Sequence, residues 1–84
     1  MTRTTAAMSY LIATEIKGVP HAIATNVEEN KFELIPIKTD SQIAKAFCAP
    51  HQTGAYNILQ WINKNDKRLA SRSLTVQPEA KFFY

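Results

Sequence analysis

The chain has 84 residues, 45% of them hydrophobic and 20% charged, with a formal charge of +3. That length makes one domain burying only about 60–65% of the surface its unfolded chain exposes, too little for both a core and a walled pocket, so no enzyme is expected. A single cysteine excludes an internal disulfide and fits a reducing, cytoplasmic setting, while Glu15 and Lys17 interrupt the apolar run from Met8 long before it reaches membrane-spanning length.

Residues 1–7, MTRTTAA, are small, polar and aperiodic, and are expected to form a flexible arm ahead of a single domain over 8–84. From Met8 the pattern alternates with period two, placing Tyr10, Ile12, Thr14 and Ile16 on one face of a strand. Lys17-Gly18-Val19-Pro20 reads as a turn, after which HAIATNV alternates again with Ile23, Thr25 and Val27 together. Glu28-Glu29-Asn30 is a second turn, and Lys31 to Ile37 a third strand. Pro36 lacks an amide hydrogen, so that strand either lies at a sheet edge or ends there.

Thr39-Asp40-Ser41 offers three N-caps to a short helix carrying Ile43, Ala46 and Phe47, which must end before Pro50. A longer helix follows, with Thr53 as its expected N-cap. Ala55, Ile58, Leu59 and Ile62 paint one apolar stripe along it, bordered by Tyr56 and Trp61. Lys64 sits near its negative end. Leu69 to Pro78 alternates once more, which predicts a strand returning to the sheet. The expected fold is α+β: a mostly antiparallel sheet of about four strands covered by one main helix, plus one short helix.

Cys48 and His51 form C-x-x-H, but a zinc site needs four ligands and only scattered singles, His21 and Asp40, remain. As a nucleophile, Cys48 falls at the end of the short helix, where the dipole disfavours a thiolate. The pair reads as a small buried cysteine beside a loop histidine. Ser41 and Ser73 lack elbow glycines, and two glycines in the whole chain cannot build a phosphate cradle. No cofactor and no metal are expected.

Charge is uneven. Residues 1–42 carry four basic and five acidic side chains, a net −1, and residues 43–84 carry six and two, a net +4. Lys64, Lys67, Arg68 and Arg72 concentrate this excess, which suits an acidic protein surface or, with Trp61 to stack bases, a nucleic acid. The terminal Phe82, Phe83 and Tyr84 read either as a last strand tucked into the sheet or as an aromatic anchor for a partner.

The order of features resembles small accessory proteins of bacterial phages and mobile elements: strands opening at Tyr10-Leu11-Ile12, the A-K-x-F step at Ala44-Lys45-Ala46-Phe47, a helix after it, and a closing Leu74-Thr75-Val76 strand. The likeness covers most of residues 8–77 as a pattern without a diagnostic motif, so no site residue carries over. It implies a non-catalytic protein that binds and inhibits or modulates a host defence or regulatory protein in the bacterial cytoplasm. The expected partner-binding residues are Lys64, Lys67, Arg68, Arg72, Phe82, Phe83 and Tyr84. The alternative is a nucleic-acid-binding regulator using Trp61 with the same four basic residues.

Overall fold

A computed structural model describes residues 9–82. The arm expected over 1–7 lies outside the described residues, as do Phe83 and Tyr84. Tyr10–Ile16 (β1), Val19–Asn26 (β2) and Lys31–Pro36 (β3) form the expected antiparallel meander, and Thr75–Pro78 (β4) pairs with the other side of β1. The sheet order is β3-β2-β1-β4, which leaves the Pro36-bearing strand at an edge.

The first turn is tighter than expected. Ile16 pairs with Val19, so Val19 and Pro20 belong to β2, and Lys17 and Gly18 alone make the connection at φ of 52° and 80°. Two consecutive positive φ angles are what a twisted two-residue hairpin demands; glycine adopts them freely, whereas a lysine Cβ meets its own backbone. Lys17→Asn keeps the turn and relieves that strain. It is expected to raise the melting temperature by several degrees, since about 1 kcal/mol moves a domain of this size by ~4–8 °C, and thermal unfolding followed by circular dichroism checks it.

Helix α1, Asp40–Lys45, starts at Thr39, whose hydroxyl accepts the Gln42 N–H at 3.3 Å while the Gln42 side chain accepts the Thr39 N–H at 3.1 Å. This reciprocal capping box satisfies two donors that a helix start otherwise leaves open. Helix α2, Gln52–Asn65, begins one position before the residue expected to cap it: His51 stands at the N-cap without a side-chain bond, and Thr53 lies inside the helix. The strand expected from Leu69 is shorter and later. Asp66 ends α2, and its carboxylate accepts the Leu69 N–H at 3.3 Å, capping one more helical turn, α3, Lys67–Ala70. Leu69 therefore reaches the core from a helix, and pairing with β1 starts only at Thr75.

Residues 47–49 explain how the helices come to lie on opposite faces. β1 and β2 pair directly only where Ala13 to Ile16 meets Val19 to Ala22. Beyond that they diverge, and the connector between α1 and α2 fills the gap. The Phe47 N–H donates to the Ile23 carbonyl at 2.8 Å, and Ala49 and Tyr10 exchange bonds of 2.9 and 2.8 Å. Within this insert the side chains alternate as in any strand: Phe47 and Ala49 join the core under α2, Cys48 the core on the other face. On the α2 face, Ile12 and Ile23 pack against Ala55, Leu59 and Ile62, with Leu69 and Leu74 completing the layer. Opposite, Leu11, Ala13 and Ala22 meet Ile37, Ile43 and Ala46, so α1 covers the second face. A 3-10 turn, Glu79–Phe82, closes the described chain, with Phe82 half-buried against this second core.

Candidate functional site

The β2–β3 hairpin ends in a four-residue loop between the paired residues Asn26 and Lys31. Its shape is local chemistry: the Asn26 side chain accepts the Glu29 N–H at 3.0 Å, and Asn30 takes the left-handed conformation at φ 54° that asparagine tolerates. Val27 at its tip is 82% exposed. Across from the loop lies the end of α2. Trp61, next to the buried stripe, meets the Phe32 ring edge-on at 6.1 Å and 66°, and Phe32 in turn meets Phe47 at 6.2 Å and 79°. This aromatic row roots Trp61 in the core while the indole stays 53% exposed.

Between the two elements is a hollow of about 300 Å³. Thr25, Asn30, Lys31 and Phe32 line it from the hairpin, and Trp61, Asn65 and Asp66 from the helix end. An aromatic wall, two carboxamides and opposite charges at the rim suit a large apolar or aromatic side chain with a polar neighbour.

The charges around it are largely internally matched. Lys31 pairs with Glu29 at 2.8 Å. That hydrogen bond and the lysine charge hold the Glu29 carboxyl below the usual carboxylate range, with a smaller contribution from the charge of Arg68. Arg68 also reaches Asp66 at 3.6 Å. Lys64, Lys67 and Arg72 are exposed and have no ion-pair partner among the described residues. Lys64 lies one helical turn beyond Trp61, and Lys67 and Arg68 follow on α3. Arg72 is carried toward β1, where the Thr14 hydroxyl donates to its carbonyl at 2.7 Å.

The expected site residues thus divide. Trp61, Lys64, Lys67 and Arg68 share the corner where α2 meets α3, whereas Phe82 packs on the opposite face of the sheet; Phe83 and Tyr84 lie outside the described residues. Lys31, Phe32 and Val27 were not anticipated. For Phe32 the signal was Pro36, which marked β3 as an edge or its end; at the edge Phe32 is left half covered. Cys48 is half-buried in the second core and His51 is exposed at the start of α2. Among the described residues no group of three His, Cys, Asp or Glu side chains is placed to hold a metal ion, and no helix is long and apolar enough to cross a membrane.

β3 presents its backbone as well. The Ile37 N–H bonds the Pro20 carbonyl at 3.0 Å, so in this antiparallel pair the odd-numbered residues of β3 face β2. The backbone groups of Phe32 and Leu34, and the carbonyl of Pro36, turn outward at the sheet edge. The bond from Phe47 to the Ile23 carbonyl fits the same parity, since Ile23 lies opposite Leu34 and faces away from β3.

No protein-family model, curated protein or solved structure matches this chain.

Proposed function

We propose that this is a small non-enzymatic binding protein that engages and modulates a protein partner, in the manner of a phage-type accessory protein acting on a host component. Trp61 is the anchor of the contact, and Lys64, Lys67, Arg68 and Arg72 supply its attraction to an acidic surface. The observation that carries this reading is the half-exposed indole, the only tryptophan in the chain, standing over a hollow with Lys64, which has no ion-pair partner among the described residues, one turn away. Tryptophan and arginine are the residue types that dominate binding energy at interfaces, where a rigid ring fills a pocket and excludes water.

The same indole beside Lys64, Lys67 and Arg72 favours a second reading, stacking of bases in a single-stranded nucleic acid. Against it, Lys31 and Arg68 are matched by Glu29 and Asp66, so the hollow is not a continuous positive track. Titrating labelled duplex and single-stranded DNA and RNA at low and physiological salt separates the two. The proposal expects no binding with a steep salt slope, together with capture of a protein from a bacterial lysate. Tight, steeply salt-dependent nucleic-acid binding overturns it in favour of phosphate contacts.

A further inference from the structure

We infer that the partner binds as an extended segment, adding a strand to the free edge of β3 and placing one large apolar side chain in the hollow beside Trp61. This rests on the protein-binding reading and names the form of the partner. Three observations meet at one place. Outward-facing amides and carbonyls of Phe32 and Leu34 form a short rail of hydrogen-bonding groups with no partner among the described residues. The side chains along that rail, Phe32 and Leu34 on one face and Ile35 on the other, are only half-buried, so a further strand covers apolar surface on both sides. The residue such a strand sets opposite Phe32 has its Cβ about 5 Å away, within reach of the Trp61 ring. Main-chain pairing supplies affinity in this arrangement, and the hollow supplies selection.

The chemistry of the occupant follows from charge. Lys64, one turn from Trp61 and without an ion-pair partner among the described residues, favours an acidic residue beside the anchor. A second copy is a poorer occupant. Two β3 strands related by two-fold symmetry satisfy all the outward groups of Phe32 and Leu34 only when Glu33 lies opposite its own copy, which sets like charges together. Shifting the register by one pair brings Pro36 opposite Phe32, where its missing N–H forfeits a bond.

Amide hydrogen exchange on the full isotope-labelled chain tests this residue by residue, with peptides selected from a linear random dodecapeptide display library as the probe. In the free protein the Phe32 and Leu34 amides are expected to exchange at least about tenfold faster than those of Glu33, Ile35 and Ile37, which are bonded to β2. Selected peptides are expected to carry one large apolar residue beside an acidic one, to slow exchange at Phe32 and Leu34 alone within β3 by at least about tenfold, and to lose binding to the Trp61→Ala variant. Peptides that bind while both amides still exchange fast overturn strand addition, as does a selection that enriches nothing. Protection of both amides without peptide, alongside a dimer in sedimentation, overturns it in favour of self-pairing. A lysate partner that leaves both amides fast removes the strand and keeps the binding function, so the two claims fail separately.

Discussion

Ile62→Asp leaves no folded protein. Ile62 has no exposed surface and seats α2 against Ile12 and Ile23 under the sheet. Losing its packing costs about 2–5 kcal/mol, and an unpaired carboxylate held there adds several more. A domain of this length has only about 4–13 kcal/mol in total, so the substitution removes most or all of the stability. Circular dichroism without a cooperative thermal transition is the expected result. Ile58, four residues earlier on the same helix, is only half-buried at the margin of that core. Ile58→Asp can turn its carboxylate to water and is expected to weaken the fold without abolishing it. A folded Ile62→Asp protein would mean that α2 does not lie on the sheet in this rotation.

Trp61→Ala has the opposite profile: binding lost, fold kept. The indole contributes an edge contact with Phe32, worth about 0.5–1.5 kcal/mol beyond the area it buries, and half of it is already in water. At an interface a tryptophan anchor is worth about 2 kcal/mol or more, which weakens a complex by at least ~30-fold. Capture of the partner by the variant is expected to fall below detection while its thermal transition remains cooperative. Tyr56 provides the comparison. It is similarly exposed, at 45%, but lies about 140° round the helix from Trp61. Tyr56→Ala is expected to leave capture unchanged. Equal loss in both variants would place the contact along the whole exposed side of α2, away from the hollow.

Much of the fold was legible because its signals are local. Period-two runs marked β1 and β2, an apolar run marked β3, Pro36 marked its edge or its end, and the Ala55, Ile58, Leu59 and Ile62 spacing marked the buried side of α2, with Ile58 half-buried at the margin. Leu69 misled because the alternation of Arg72, Leu74 and Val76 with Ser71, Ser73 and Thr75 runs back to it without a break, whereas the Asp66 cap three residues upstream converts it to a helical turn. The insertion of residues 47–49 between β1 and β2 had no local signal. It depends on bonds to Tyr10 and Ile23, far away in the chain, and Phe47, Cys48 and Ala49 look the same in a loop. The site was half legible for a related reason. Trp61 and the basic residues stand in one run of sequence, but Lys31 and Phe32 belong to the acidic half and reach the hollow only through the pairing of β3 with β2.

Trp61 is the proposed point of contact, and the protein carries its own reporter, since no other tryptophan contributes to its emission. The direct measurement is indole fluorescence and its quenching by acrylamide, for the free chain and for the chain saturated with its captured partner. A half-exposed ring predicts red-shifted, readily quenched emission in the free protein. Contact predicts a shift to the blue and protection from quencher in the complex. Emission and quenching that stay the same at saturation would show that the partner binds elsewhere and that Trp61 is not its anchor.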